Sequence, residues 1–141
     1  MSKHGRIIVD ANIAFRCLVA HRGDLRAFWL QRIATAQFYA PRYLFVELFK
    51  HKQRLIEASR LPEEDILAAL YTLSSQIRFY NEALIPLGVR TEAIRLCGSV
   101  DEKDTPYVAP TLHLDAKLWT HDDELKQGLR RQGFDGFLED V

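Results

Sequence analysis

The chain has 141 residues, with 19 Lys and Arg against 19 Asp and Glu, so its formal net charge is zero. That length fits one domain over 1–141, which hides roughly two-thirds of its unfolded-chain surface and needs no staple. Apolar residues at 48% and charged ones at 27% exclude disordered and fibrous classes, and no apolar run nears the roughly 18 residues of a membrane span.

Residues 7–9, Ile-Ile-Val, are a β-branched run ending at Asp10 and predict a buried strand. A helix is expected over 11–21, a break at Gly23-Asp24 and a second helix over 25–34. Residues 35–40 predict another strand, stopped by Pro41. A long helix is expected over 42–59, and Pro62-Glu63-Glu64 opens a further one to about residue 74. Residues 77–80 predict a third strand. A short helix over 91–97 ends at Gly98, a residue suited to a left-handed cap. Asp104-Thr105-Pro106 starts the next helix, in which Pro110 lacks the N–H for the Pro106 carbonyl and predicts a bend. A strand over 118–120, a helix over 123–132 and a last short strand over 134–138 complete the chain. Alternating strands and helices predict an α/β fold, a parallel sheet of four or five strands flanked by helices.

Met1 to Gly5 is short and polar with no apolar segment behind it, so a secretory signal is not expected and the cytoplasm is. Cys17 and Cys97 lack close ligand spacing and sit among apolar neighbours, which predicts buried thiols. The zero total hides asymmetry. Residues 42–60 carry a local +3 and residues 101–124 a local −5. A polyanion partner would therefore need metal ions and a local basic strip.

In open α/β sheets, ligands bind beyond the carboxyl ends of the strands. Asp10 follows the first strand directly, and Asp122 lies two residues past Thr120. Asp104 opens a helix at the same general level. Converging carboxylates repel, and oxygen-only ligands that must be gathered favour Mg²⁺ or Mn²⁺ over zinc. Each acid also has a plainer role: Asp10, Asp104 and either Asp122 or Asp123 can cap helices. Glu47 lies with His51 and Arg54 on the polar flank of a helix whose apolar arc is Leu44, Phe45, Leu48, Phe49, Leu55 and Ile56, where a Glu47–His51 pair is the ordinary expectation.

Taken in order, these pieces resemble one family. Ile7-Ile8-Val9-Asp10-Ala11-Asn12 is similar to the opening strand and first acid of PIN domains, including the VapC-type toxins. Val46-Glu47-Leu48 resembles their early helical acid. Asp101-Glu102-Lys103-Asp104-Thr105-Pro106-Tyr107-Val108-Ala109 resembles their third acidic cluster. Leu118-Trp119-Thr120-His121-Asp122-Asp123-Glu124-Leu125 is similar to their closing strand and Thr-x-Asp turn.

The resemblance implies a Rossmann-like three-layer fold and a metal-dependent ribonuclease. Asp10, Glu47, Asp104 and Asp122 would form the catalytic set. Asp10, Asp104 and Asp122, with Asp101 as an additional acid, would meet Mg²⁺ or Mn²⁺. Asn12 and Thr120 would orient carboxylates or water. Asp122 is preferred to Asp123 for its place after Thr120. The implied chemistry is phosphodiester hydrolysis assisted by two ions about 3.5–4 Å apart. Arg42, Lys50 and Arg54 are candidate phosphate contacts, with a solvated helix face as the plainer reading. RNA is the implied substrate; an antitoxin protein and a second copy of the chain are the implied partners, and no membrane is involved.

Competing readings stay open. A metal-independent ribonuclease would use His51, His113 and His121 as acid and base. A receiver-like domain would want adjacent acids after the first strand, yet Asp10 is followed by Ala11. A PIN-like domain that only binds RNA or protein is the main alternative, since fold does not fix function. Phe15, Phe28, Trp29 and Tyr71 are expected in the core, with a dimer surface or partner groove as the other options.

Overall fold

The computed structural model of the chain describes residues 5–19 and 24–139. Four parallel strands, β1 (Arg6–Val9), β2 (Gln37–Pro41), β3 (Ile77–Tyr80) and β4 (Lys117–Trp119), form one sheet in the order β3-β2-β1-β4. Eight α-helices flank it among the described residues: α1 (Ala11–Val19), α2 (Asp24–Ile33), α3 (Tyr43–Lys50), α4 (Lys52–Ser59), α5 (Glu63–Ser75), α6 (Leu87–Cys97), α7 (Thr105–His113) and α8 (Asp123–Arg131). Two 3₁₀ turns, Glu82–Leu84 and Glu102–Asp104, precede α6 and α7. This is the three-layer α/β arrangement expected.

The layers follow from the strand sequences. Ile7 and Val9 point into a cluster with Trp29, Phe38, Leu44, Leu55 and Trp119, under α1 to α5. Ile8 points the other way, with Leu96, Val108, Leu118 and Leu129 under α6 to α8. Alternation of side chains along β1 thus feeds two cores, which is why its three apolar residues run without a polar break. Trp29, Phe38 and Trp119 pack in tilted and edge-on contacts at 4.6–5.9 Å between centroids. Cys17 and Cys97 are buried free thiols, pushed by burial up to about 12 and about 11.

Several expectations change. The helix end near His21 and the break at Gly23 lie outside the described residues. Pro41 ends β2 from inside, paired with Tyr80, because the next donor in the ladder is the Arg42 N–H. The long helix over 42–59 is two helices, hinged at His51, where φ is −105° and ψ 14°. Its apolar arc is narrower than the wheel predicts: Leu44, Leu48 and Leu55 are buried, whereas Phe49 is 64% exposed. α6 begins at Leu87, behind Pro86, and Gly98 is right-handed at φ −58°, its N–H donating to the Ile94 carbonyl. Residues 134–138 give a single bridge from Phe137 to Leu118 instead of a strand, so the sheet has four strands. Of the aromatics expected inside, Trp29 is fully buried and Phe15 and Phe28 half-buried, but Tyr71 is 78% exposed.

α7 runs through Pro110 without interruption. The buried Thr111 hydroxyl donates to the Tyr107 carbonyl at 2.7 Å, and the Leu114 N–H donates to the Pro110 carbonyl at 2.9 Å, so the turns after the proline stay bonded. With Pro110 in α7, Asp104 at its head still lies within the electrostatic reach of Asp101, Asp10, Asp122 and Glu47.

Candidate active site

The strand order reverses at β1. From there the chain moves outward through β2 to β3, then returns to place β4 on β1's other side. Such a switch point leaves a crevice beyond the carboxyl ends of the two strands. Asp10 follows β1 and Thr120 follows β4, so both stand there.

Asp10 is the most enclosed of the acids, 6% exposed. One of its oxygens accepts the Ile13 N–H at 2.8 Å and caps α1, and the Thr120 hydroxyl bonds to it. Burial pushes its carboxyl up to about 6, although those two bonds and nearby His121 pull the other way. The capping role anticipated for Asp10 therefore holds alongside its place in the crevice. Thr120, fully buried, also accepts the Asp122 N–H at 3.1 Å. One hydroxyl thus links the acid after β1 to the acid after β4.

Asp104 is half-buried at the head of α7 and makes no side-chain cap there. Burial first, then the charges of Asp101, Asp10, Asp122 and Glu47, push its carboxyl up to about 7. Those four are the acids brought into its field, and they are the ones the sequence motifs single out. Asp101 is exposed and caps the 3₁₀ turn through the Lys103 N–H at 3.0 Å. Asp122 caps α8 through the Leu125 N–H at 3.1 Å; it is exposed, as is Asp123 in the helix's first turn. Between the two, Asp122 is the one that reaches Asp104's field.

Glu47, half-buried on α3, accepts a hydrogen bond from the Tyr107 hydroxyl of α7, instead of the expected pairing with His51. Burial and this carboxylate push the Tyr107 phenol far up, so it stays a donor. α3 itself is capped from outside. Both Glu82 carboxylate oxygens accept at its start, from the Arg42 N–H at 3.1 Å and the Tyr43 N–H at 3.2 Å.

Asn12 stands exposed on the first turn of α1, and its side chain makes no hydrogen bond among the described residues. Of the basic candidates, Arg42 is tied to Asn81 at 2.6 Å and to Glu82 at 3.5 Å. Arg54 lies over the Phe15 ring at 5.7 Å, and Lys50 is exposed. Sequence reasoning gave no role to Tyr107 or to Arg16, whose guanidinium lies 3.0 Å from His121 Nδ1. Arg16 left one signal: it is the sole charged residue in the apolar run of α1.

Among the described residues, no three His, Cys, Asp or Glu side chains are already gathered closely enough to hold a metal ion. The acids are coupled through space without forming a closed cage. Their chemistry nevertheless suits a hard divalent cation, because all the donors are oxygens and two of them are held back from ionising by burial and by neighbouring negative charge.

A sequence model of the PIN domain matches residues 8–137, nearly the whole chain. The chain belongs to the PIN domain family. The PIN domain is a nuclease fold whose members are in general metal-dependent ribonucleases using divalent ions. In this PIN domain the match spans all four acids. No curated protein matches the sequence. No helix of the described residues is long and apolar enough to cross a membrane.

Proposed function

We propose that this PIN domain is an endoribonuclease that hydrolyses RNA phosphodiester bonds with Mg²⁺ or Mn²⁺, and that it is the toxin of a toxin–antitoxin pair. The observation that carries the nuclease reading is the setting of Asp104, where burial first and then the charges of Asp101, Asp10, Asp122 and Glu47 raise the carboxyl. Like charges gathered around a buried Asp10 and a half-buried Asp104 are costly unless positive charge arrives. Asp10, Asp104 and Asp122 would hold the ions, with Asp101 beside Asp104. The ions would neutralise the acids, lower the pKa of the attacking water and stabilise the departing oxygen.

The chain's own groups do the rest. The Thr120 hydroxyl and the Ile13 N–H fix the orientation of Asp10. Tyr107 fixes Glu47, leaving that carboxylate to orient a water and take its proton. Arg16, Lys50 and Arg54 supply positive charge for the RNA backbone. Asn12 remains a candidate for orienting water.

The test is cleavage of a mixed RNA pool with Mg²⁺, Mn²⁺ or EDTA, beside Asp104→Asn. Cleavage that needs metal and disappears in the variant supports the reading. Cleavage that survives both sinks it in favour of histidine chemistry. RNA binding without cleavage under any condition supports the alternative, a PIN domain that only binds. The toxin role is tested separately, by growth arrest on expression and its relief by the product of a neighbouring small reading frame. A second copy of the chain is part of the same proposal, and light scattering tests it.

A further inference from the structure

A pocket of about 760 Å³ is walled by the start of α3, by α6 and α7, and by both 3₁₀ turns, with Glu102 and Thr105, the chain neighbours of Asp101 and Asp104, in its lining. Ile85, Ile94, Pro106 and Ala109 make it largely apolar, Tyr43 adds an aromatic ring, and Glu102 and Arg90 bring charge. Two of its walls also carry one acid each, Glu47 on α3 and Asp104 at the head of α7. Tyr43 stands one turn before Glu47 on α3, and Pro106 two residues after Asp104 on α7. One such turn spans about 6 Å, comparable with the reach from a nucleotide's phosphate to its base.

We propose that this pocket receives a base of the RNA strand, guanine in preference, next to the phosphate held at the acids. The proposal rests on the nuclease reading above and deepens it. The charges in the pocket select the class of ligand. Glu82 is occupied in capping α3. Arg90 is held in place by the carbonyls of Ile85 and Glu82, each at 3.0 Å. A phosphate entering here would meet the carboxylates of Glu82 and Glu102. A flat, neutral base instead stacks on the half-exposed Tyr43 ring or the fixed Arg90 plane. Glu102 is exposed and available as an acceptor. Guanine's Watson–Crick edge presents two adjacent N–H donors, matching the two oxygens of a carboxylate. Adenine and cytosine place a ring-nitrogen lone pair beside their amino group, and uracil flanks its single N–H with two carbonyls.

The test uses the full chain in EDTA, so that it is independent of catalysis. The four nucleoside 5′-monophosphates and ribose 5-phosphate are titrated in turn, following backbone amide NMR signals. The expected result is that GMP shifts the amides of Ile94, Gly98, Thr105 and Ala109 with a Kd at least fivefold below that of AMP, CMP or UMP. Ribose 5-phosphate should leave them unmoved. Glu102→Gln should bring GMP to the level of AMP, and Tyr43→Ala should weaken all four, both with unchanged signal dispersion. No shift with any nucleotide, an equal response to all four, or a response to ribose 5-phosphate overturns the proposal. Wild-type RNA cleavage without any GMP response would reject the pocket alone. GMP binding without metal-dependent cleavage would reject the nuclease reading alone.

Discussion

The phenolic hydroxyl of Tyr107 donates a hydrogen bond to the Glu47 carboxylate, joining α7 to α3 across 60 positions of chain. Asp104 stands at the head of the same helix one turn before Tyr107, so this bond ties the helix that Asp104 heads to the helix that carries Glu47. A hydrogen bond to a charged group contributes about 1.5–3 kcal/mol. Tyr107→Phe keeps the buried ring and removes only the hydroxyl. Cleavage by this variant is expected to fall about tenfold or more in kcat with KM nearly unchanged, since 1.36 kcal/mol is tenfold in rate. Steady-state kinetics on one RNA substrate checks it; an unchanged kcat would mean that Glu47 needs no such anchor.

The long-range bond also marks where sequence reading stopped. Asp10, Asp104 and Asp122 were legible because each belongs to a local pattern, an acid after a strand or at the head of a helix, whereas Glu47, in the middle of α3, was marked only by the family resemblance. Tyr107 and Arg16 were not, because their partners lie 60 and 105 positions away. The same divide runs through the fold. The Ile7-Ile8-Val9 run announced β1, but nothing local announced the hinge at His51, which has neither Gly nor Pro beside it. Gly98 offered a left-handed cap that the chain did not take, and Phe134 to Leu138 read as a strand although Phe137 alone forms a bridge. Pro110 predicted a bend, and the bonds of Thr111 and Leu114 keep the following turns intact.

Asp10, Asp104 and Asp122 should each be indispensable for hydrolysis. Replacing any one with Asn removes the negative charge and exchanges one oxygen for an NH2 at nearly constant volume, and cleavage is expected to drop at least about 10²-fold, on the scale of losing one preorganised electrostatic contact. Asp123→Asn and Asp101→Asn separate the neighbours: the first should stay within about twofold of wild type, the second should be intermediate. These assays are run at saturating Mn²⁺. An Asp123 variant as damaged as the Asp122 variant would reassign the metal-facing residue.

The raised carboxyls give a stability signature in metal-free protein. The folded state holds protons on Asp10 up to about pH 6 and on Asp104 up to about pH 7, whereas unfolded aspartate releases them near its ordinary value. Between those values the folded state binds more protons, so stability falls as pH rises, and the loss is complete above the folded values. Thermal unfolding in EDTA should show a Tm that declines from about pH 4 to about pH 7, a slope that Asp104→Asn flattens. Mn²⁺ at pH 7.5 should raise the wild-type Tm more than that of the variant. Equal slopes in the two proteins would refute the assignment.

Gly128 in α8 faces Val100, and a Cβ there would come within 2.7 Å of both Val100 methyls. Valine's stiff χ1 leaves little room to yield. Gly128→Ala is therefore expected to destabilise by about 1–3 kcal/mol, despite alanine's better helix propensity. Val100→Ala should relieve the clash, so that the double variant is more stable than the sum of the single ones predicts. Denaturant unfolding of the four proteins measures this; additive values would show that the contact is slack.

The position of β1 between β2 and β4 has a consequence for the life of the molecule in a cell. A growing polypeptide that has extended through α7 already carries three of the four acids, but it lacks β4, Thr120 and Asp122, and Asp10 has only half of its surroundings. Such a chain cannot bring Asp122 and the Thr120 hydroxyl to Asp10 before β4 has been made. Under the ribonuclease reading proposed above, a nascent chain would hold an incomplete site until β4 and the Asp122 turn had been made.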